Sequence, residues 1–210
     1  MTYAVKECFL TLQGEGMQAG SRAVFLRFAG CNLWSGLERD RAAAQCRFCD
    51  TDFVGTDGAG GGKFGDSDQL AERVVSIWGE ELENRLVVVT GGEPMLQLDT
   101  DLIDALHRRS FRVAVESNGT LPAVPGIDWL CISPKSGTDV VQRSGDELKL
   151  VWPQQDVDLD ALERWDFPNH LIQPMDGLDR DANLEASIGL VMARPKWRLT
   201  LQAHKIVGLA

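Results

Sequence analysis

The apolar residues of this chain recur at two spacings that alternate along the sequence. Short apolar runs bordered by turn formers have the length and composition of buried strands. We predict such strands at residues 22–28, 86–89, 111–115, 128–132, 147–152, 169–172 and 197–202. Within the first of them, Arg27 alternates with Phe25 and Ala23, so these three side chains are expected on one face of the sheet.

Between the strands, apolar residues recur at helical spacing. The first predicted helix follows Ser67 as its N-cap and carries Leu70, Val74, Ile77 and Trp78. A second is marked by Leu98, Leu102 and Leu106, and two more are predicted at residues 158–165 and 182–193. Because strands and helices alternate, the sheet should be mainly parallel.

The number of predicted strands limits the architecture. Six or seven are too few for an eight-stranded barrel. We therefore expect an α/β fold, a partial (β/α) barrel of about six mainly parallel strands, forming a single domain over residues 1–210. In barrels of parallel strands, the loops at the carboxyl ends of the strands build the active site.

Polar, glycine-rich segments follow several predicted strands at that rim. They are Thr90-Gly91-Gly92-Glu93-Pro94, Glu116-Ser117-Asn118-Gly119, Ser133-Pro134-Lys135 and Gln173-Pro174-Met175-Asp176. Each is a common turn sequence when taken alone. Their repetition at one rim indicates a binding site more strongly than any one of them.

A loop at about residues 30–52 contains three cysteines, Cys31, Cys46 and Cys49. Thiolate sulfur suits a zinc ion or an iron–sulfur cluster, and a cluster with three protein ligands keeps one iron open for reaction. Structural zinc requires a fourth ligand. The chain offers the candidates His107, His170, His204, Cys8 and Cys131.

Composition narrows the class of partner. The chain has 210 residues, of which 44% are hydrophobic and 25% charged, with a formal net charge of −10. This charge argues against nucleic acid, and no apolar run reaches the roughly 20 residues that span a bilayer. The N-terminus lacks the apolar core of a signal peptide, so we expect a cytoplasmic protein with a small-molecule substrate. Five cysteines are an odd number and do not suggest a disulfide framework.

The cysteine triad followed by Gly91-Gly92-Glu93-Pro94 resembles the radical S-adenosylmethionine superfamily. That superfamily usually spaces its cysteines as C-x3-C-x2-C, whereas fourteen residues separate Cys31 from Cys46 here. Further segments are similar to the 7-carboxy-7-deazaguanine synthase family, some members of which have an expanded cysteine loop. These segments are Thr11–Gly16, Cys49–Thr51, Glu116–Thr120 and Ser133–Lys135.

The resemblance implies a lyase of queuosine and 7-deazapurine biosynthesis. A [4Fe–4S] cluster would bind S-adenosylmethionine at its open iron, and one electron would release a 5′-deoxyadenosyl radical. The radical would abstract hydrogen from C6 of 6-carboxy-5,6,7,8-tetrahydropterin, whose ring then contracts to 7-carboxy-7-deazaguanine with loss of ammonia. The protein's task would be to position the radical and exclude competing reactions.

The same resemblance assigns residues to the cofactors. Cys31, Cys46 and Cys49 would bind the cluster, and Thr51 would bind Mg²⁺, a hard ion that takes few protein oxygens. S-adenosylmethionine would contact Phe48, Cys49, Asp50, Gly92, Ser133, Pro134, Lys135, Gln173, Pro174, Met175 and Asp176. Of these, Gly92 is expected close to the methionine amine.

For the pterin, the resemblance implies a second set of residues. The set is Leu12, Gln13, Gly14, Glu15, Arg27, Thr90, Glu116, His204 and the terminal carboxylate of Ala210. Arg27 suits the substrate carboxylate, because a guanidinium on an apolar face needs an anionic partner. Glu116 is suited to ring N–H donors and is the one candidate catalytic side chain, since the cofactor supplies the radical.

Alternatives remain open at this point. The chain is also compatible with a radical S-adenosylmethionine activase acting on a protein glycine, or with a zinc-stabilised binding module. Arg27 is also compatible with an internal ion pair to Glu116 or Glu15, and His204 with a purely structural hydrogen bond. Expected partners are an electron donor such as flavodoxin and a second copy of the chain in a homodimer.

Overall fold

A computed structural model describes residues 2–209 of the chain. Nine strands form one sheet, in the order β3-β1-β2-β4-β5-β6-β7-β8-β9. The strands are β1 (Tyr3–Leu12), β2 (Arg22–Phe28), β3 (Gly62–Phe64), β4 (Leu86–Gly91), β5 (Arg112–Ser117), β6 (Trp129–Ile132), β7 (Glu147–Trp152), β8 (Asn169–Pro174) and β9 (Trp197–Leu199). The helices are α1 (Ser67–Trp78), α2 (Thr100–His107), α3 (Leu159–Leu162), α4 (Arg180–Ala193) and α5 (Ala203–Val207).

The seven strands β2 and β4 to β9 are parallel to one another, whereas β1 pairs in antiparallel fashion with β2 on one side and with β3 on the other. All carboxyl ends of the parallel strands therefore lie at one rim, as the sequence predicts. The α/β class with a mainly parallel sheet is confirmed.

The loop after β1 begins beside the amino end of β2, opposite the rim of carboxyl ends, and its contacts close the sheet into a partial barrel. The loop after β1 contacts the segment after β9: the Gly16 amide donates to the Thr200 hydroxyl at 2.8 Å, and the Ala203 amide donates to the Gly14 carbonyl at 2.8 Å. These bonds curve the sheet around the inner face on which the candidate site lies.

Side chains alternate between the two faces of the sheet. Val24, Leu26 and Phe28 of β2 point outwards into the main core, which α1 and α2 cover. Ala23 and Phe25 belong to a small inner cluster with Leu86, Val88 and Ala114. The prediction that Ala23, Phe25 and Arg27 share a face is confirmed, since Phe25 and Arg27 line the same inner cavity.

A bulge in β1 changes which side chains face the cavity. Val5 opposes Phe28 and Glu7 opposes Arg27, so Lys6 is the extra residue on the β1 side. Tyr3, Val5 and Cys8 belong to the outer core, whereas Lys6, Glu7 and Phe9 line the cavity. Bulges often re-aim side chains next to active sites. Here the bulge turns Glu7 to the inner face.

Several boundaries differ from the predictions. Strand β1 was not predicted, because the bulge breaks its alternation of apolar and polar residues. The helix predicted at 158–165 is a single turn, Leu159–Leu162, and the strand predicted at 197–202 ends at Leu199. Asp66, not Ser67, caps α1, because its carboxylate accepts the Gln69 amide at 2.8 Å.

Similar small differences affect the other helices. Leu98 precedes α2, whose N-cap is Asp99, and α4 begins two residues early at Arg180. In the described part of the chain, none of the helices is both long and apolar enough to cross a membrane.

Candidate active site

The three loop cysteines line one wall of a cavity of about 450 Å³ on the inner face of the sheet. None is in a disulfide. The Cys46 thiol hydrogen-bonds Cys49, which lowers the pKa of Cys49 to about 6 although burial opposes this, and the pKa of Cys46 rises well above its usual value. Burial also raises the pKa of Cys31. Cys46 and Cys49 are thus adjacent, and one of them favours the thiolate that a metal requires.

Among the described residues, no group of three or more His, Cys, Asp or Glu side chains converges on a single metal ion. The three thiols of Cys31, Cys46 and Cys49 line one cavity, and cysteine thiolates are the ligands that hold iron–sulfur clusters. This donor set fits a [4Fe–4S] cluster with one open iron.

The expanded loop has a small apolar core of its own. Trp34, Ala44 and Phe53 are buried together, and Cys31 and Cys49 pack against them. Arg41 lies 4.1 Å from the centre of the Trp34 ring and donates to the carbonyls of Arg47 and Cys49 at 2.9 and 3.0 Å. The loop is therefore ordered around the cysteines by its own side chains.

The loop after β4 approaches the cysteine loop closely at Gly92. A Cβ atom at this position would lie 2.3 Å from the Gly30 carbonyl oxygen and 2.6 Å from Cys31 Cβ. Only glycine allows this backbone approach without displacement. Gly92 therefore lies beside Cys31, and its expected proximity to the methionine amine stays a prediction.

Glu93 joins two strand-end loops. Its fully buried carboxylate accepts the Ser117 hydroxyl and the Asn118 amide at 2.8 Å each, and the Met95 amide at 2.9 Å. Burial raises the pKa of this carboxyl. The Gly-Gly-Glu-Pro segment therefore lines the cavity and also holds the end of β5 to the loop after β4.

The remaining candidate cofactor residues stand on the same rim. The Lys135 ammonium donates to the carbonyl and hydroxyl of Ser133 at 2.6 and 2.7 Å, and burial lowers the pKa of Lys135. Gln173 is buried, and its Oε1 atom has no hydrogen-bond partner in the described chain. A buried acceptor without a partner, facing a cavity, is suited to a ligand's N–H or O–H group.

A charged bridge crosses the mouth of the cavity near these residues. The Lys205 ammonium, on α5, contacts the Asp50 carboxylate at 2.8 Å and the Asp176 carboxylate at 2.7 Å. Phe48, Thr51, Pro174 and Met175 line the cavity between them, and Pro134 is buried beside it. The cysteine loop, the β8 loop and α5 therefore meet at one place.

The opposite wall is a row of polar side chains across three neighbouring strands. Arg27 of β2 is in register with Thr90 of β4. Val89 of β4 is in register with Val115 of β5, so the residues that follow them, Thr90 and Glu116, also lie side by side. Neighbouring strands lie about 4.8 Å apart, which separates the Arg27 and Glu116 backbones by roughly 10 Å. A cation and a carboxylate thus stand at opposite ends of one row.

Arg27 does not pair with Glu116 or Glu15, so that structural alternative is wrong. Its Nε atom donates to the Glu7 carboxylate at 2.7 Å, because the bulge in β1 turns Glu7 towards it. Glu15 and Glu116 instead share Lys149, at 2.5 and 3.3 Å from its ammonium nitrogen.

Gln13 and Gln202 complete this group at the floor of the cavity. Gln13 Nε2 donates to Glu116 at 2.8 Å, and Gln202 Nε2 donates to Glu15 at 2.9 Å. Burial opposes ionisation of Glu15, but attraction to Lys149 and its hydrogen bonds lower the pKa of Glu15 to about 2. The pKa of Lys149 is raised by Glu116 and Glu15 despite its burial. Glu15 and Lys149 are therefore both charged.

His204 lies against the loop after β1. A Cβ atom at Gly14 would stand 2.1 Å from His204 Nδ1, so these residues are in direct backbone-to-ring contact. Leu12, Gln13, Gly14 and His204 all line the cavity. Ala210, whose terminal carboxylate is predicted to contact the substrate, lies outside the described residues.

The structure adds site residues that sequence reasoning missed, above all Lys149, Glu7 and Lys6. The sequence does indicate an inward position for Lys149, since Glu147 and Lys149 alternate with leucines in an otherwise buried strand. No sequence pattern indicates the position of Glu7, because only the bulge directs it inwards. Lys6 contacts Asp52 at 2.9 Å and Asp57 at 2.8 Å and anchors the end of the cysteine loop to β1.

Three cysteine thiols that face a polar pocket on the inner face of a partial barrel are the site of a radical S-adenosylmethionine enzyme. Comparison with known proteins supports this class. No family model matches the chain. A 7-carboxy-7-deazaguanine synthase from Caulobacter vibrioides is 57% identical over 209 residues and one from Bordetella pertussis is 56% identical over 209 residues, each with 100% of both chains covered.

A solved structure, titled "Crystal structure of QueE from Escherichia coli", superimposes with a TM-score of 0.72 at 26% identity, covering 97% of this chain and 95% of that one. The chain belongs to the 7-carboxy-7-deazaguanine synthase family. It is a lyase that converts 6-carboxy-5,6,7,8-tetrahydropterin to 7-carboxy-7-deazaguanine and ammonia by a radical route that uses a [4Fe–4S] cluster and S-adenosylmethionine. The relatives favour this activity over the glycine activase and the zinc-binding module.

Proposed function

We propose that the cavity holds the pterin along the row Arg27–Thr90–Glu116, with the cysteine wall facing it. The observation that carries this proposal is the row itself, which presents a cation at one end and an ionisable carboxylate at the other. A carboxylated heterocycle with N–H donors opposite its carboxyl group matches this order of charges. Thr90, between them, offers a hydroxyl to the middle of the ligand.

Arg27 binds the substrate carboxylate in this arrangement. Glu7 accepts from Nε, which is one edge of the guanidinium, and a guanidinium has five donors. The remaining donors suit a carboxylate, which forms charge-assisted pairs with arginine. Glu7 thereby fixes the orientation of Arg27 before the substrate arrives.

The floor of the cavity binds the other edge of the pterin. Glu116 accepts ring N–H donors, while backbone groups of Leu12, Gln13 and Gly14 border the ring. Glu15 supports the floor through Lys149, and His204 closes it from α5. We extend the substrate set to the terminal carboxylate of Ala210 on the family resemblance alone.

Cys31, Cys46 and Cys49 hold the cluster, and the cluster with S-adenosylmethionine supplies the hydrogen-abstracting radical. Phe48, Asp50, Gly92, Ser133–Lys135 and Gln173–Asp176 surround the S-adenosylmethionine. Gln173 Oε1 accepts from it, and Gly92 gives it room beside Cys31. The apolar core of Trp34, Ala44 and Phe53 excludes water from this wall.

Thr51 binds Mg²⁺ together with substrate oxygens in this proposal. Thr51 lines the cavity directly after Cys49, and Mg²⁺ keeps waters and takes few protein ligands. A Thr51→Val variant should need a higher Mg²⁺ concentration for half-maximal product formation, at unchanged iron content. An unchanged Mg²⁺ dependence would remove Thr51 from the site.

The remaining assignments concern the whole chain. One continuous sheet supports a single domain over residues 1–210. Five free cysteines suit the reducing cytoplasm, where flavodoxin is a suitable electron donor. Exposed apolar side chains on α4 and α5, among them Met192, Ile206 and Val207, suit a homodimer. Light scattering of the purified protein tests the dimer, and turnover with reduced flavodoxin tests the donor.

The experiment that tests the site is an anaerobic assay of the cluster-loaded protein and its Arg27→Lys and Glu116→Gln variants. Product and 5′-deoxyadenosine are measured by mass spectrometry at varied pterin concentration. Both variants should raise KM for the pterin while iron content stays constant. A variant with unchanged KM removes its residue from the substrate site.

A further inference from the structure

Lys149 is a buried cation that no assignment above uses in contact with substrate or cofactor. It stands on β7, pointing to the inner face, and its side chain is 4% exposed. Glu15 reaches it from the loop after β1, and Glu116 reaches it from β5. One ammonium group therefore joins two carboxylates that come from distant parts of the chain.

The charged and titratable groups around Lys149 come from every element packed against it. They are Glu15, Glu116, Cys131 on β6, Glu147 on β7 and Lys135 after β6. His204 on α5 acts on Glu15. Of the carboxylates, Glu147 is engaged elsewhere, because it accepts the Met17 amide at 2.9 Å. Lys149 is thus the cation that pairs with both Glu15 and Glu116.

The protonation of Glu116 decides which ligands the floor accepts. An ionised carboxylate only accepts hydrogen bonds, whereas a protonated one also donates. Gln13 donates to one oxygen of Glu116 and Lys149 to the other, so both oxygens are held in place as hydrogen-bond acceptors. Without Lys149, the carboxylates of Glu15 and Glu116 would lose the cation between them and would repel each other.

We propose that Lys149 is a positioning residue that sets the ligand specificity of the cavity floor. By holding Glu15 and Glu116 in place as two hydrogen-bond acceptors, it makes the floor specific for heterocycles that present N–H donors. This inference rests on the proposed function, because it takes Glu116 to meet the pterin's donor edge. A ligand with an oxo group in place of the 2-amino group would place a hydrogen-bond acceptor against the carboxylate oxygens, which are also acceptors. Such a ligand should bind more weakly than the pterin.

Lys149→Met and Lys149→Arg test this role in the cluster-loaded enzyme. We measure KM for 6-carboxy-5,6,7,8-tetrahydropterin and the inhibition constant of 6-carboxy-5,6,7,8-tetrahydrolumazine, which carries the oxo group. Lys149→Met should raise the pterin KM about tenfold or more, because a hydrogen bond to a charged group is lost or weakened. It should also improve lumazine binding relative to pterin, and Lys149→Arg should restore most of the preference.

The pH profile distinguishes positioning from general damage. Lys149→Met removes the attraction that lowers the pKa of Glu15, so Glu15 should ionise at higher pH in this variant. The ratio of the variant's pterin KM to the wild-type KM should therefore fall as pH increases from 6 to 8.5. Arg109→Met is the matched control, because Arg109 also bridges two carboxylates, Asp68 and Glu72, but on the outer surface. It should change stability without changing the KM ratio at any pH.

Each outcome decides the proposal. It is overturned if Lys149→Met raises KM equally at all pH values and leaves the pterin-to-lumazine preference intact, which would make Lys149 a structural residue only. If Glu116→Gln leaves the pterin KM unchanged, the proposed substrate site fails and this inference falls with it. If Glu116→Gln raises KM but Lys149→Met alters neither preference nor pH profile, the site stands and only the inference fails.

Discussion

The Glu93 carboxylate accepts the Ser117 hydroxyl at 2.8 Å in the buried gap between the loops that follow β4 and β5. This contact joins two walls of the cavity. Replacing Glu93 with alanine leaves that hydroxyl and two backbone amides without an acceptor, each at a cost of about 1–3 kcal/mol. We expect a free energy of unfolding lower by about 3 kcal/mol or more, measured by urea denaturation. Glu185→Ala, on the exposed face of α4, is the control and should change stability little.

Glu15 predicts an acid-sensitive component of stability. Its folded pKa of about 2 lies below the ordinary value of 4.5, so its contribution is present above pH 4.5 and is lost as pH falls towards 2. By linkage, roughly 2 kcal/mol should disappear between pH 5 and pH 3. Urea denaturation at these two pH values should show a smaller decrease for Glu15→Gln than for the wild type. Parallel decreases in the two proteins would contradict the shifted pKa.

Gly92→Ala should damage the cluster rather than the sheet. Its Cβ atom would collide with the Gly30 carbonyl and Cys31 Cβ, which are backbone or backbone-proximal atoms that cannot rotate away. We expect a marked loss of iron and sulfide per chain, measured after reconstitution. Gly189→Ala on α4 is the matched control, since no other atom lies within 4 Å of its Cβ position. Normal iron content in Gly92→Ala would mean that the two loops separate easily.

Arg41→Lys should make the cluster more labile to oxygen. Lysine keeps the charge but loses the planar stacking on Trp34 and the paired bonds to the Arg47 and Cys49 carbonyls. The rate of bleaching of the cluster's visible absorbance in air should increase. Arg39→Lys is the control, because the Arg39 side chain is 79% exposed. Equal bleaching rates in both variants would show that the stacking does not protect the cysteine wall.

The parallel sheet and the rim loops could be predicted because continuous apolar runs and glycine-rich strand ends are local in the sequence. Strand β1 could not, since a one-residue bulge at Lys6 interrupts its alternation. Arg27 was placed on the correct face, but its partner Glu7 follows from that bulge and not from any motif. The inward position of Lys149 follows from its alternation with leucines, but its two carboxylate partners, Glu15 and Glu116, could not be predicted because they are remote in sequence.

The bonds between the loop after β1 and the segment after β9 have a consequence for the order in which the chain becomes competent during synthesis. The cysteines and Gly92 emerge from the ribosome in the first half of the chain, whereas Thr200, Gln202 and His204 emerge last. A nascent or truncated chain ending at Leu199 therefore has every cluster ligand but lacks Thr200, Gln202 and Ala203, which bind Gly16, Glu15 and Gly14, although Glu15 keeps Lys149. The residues that would hold the cluster are thus translated before those that close the substrate pocket.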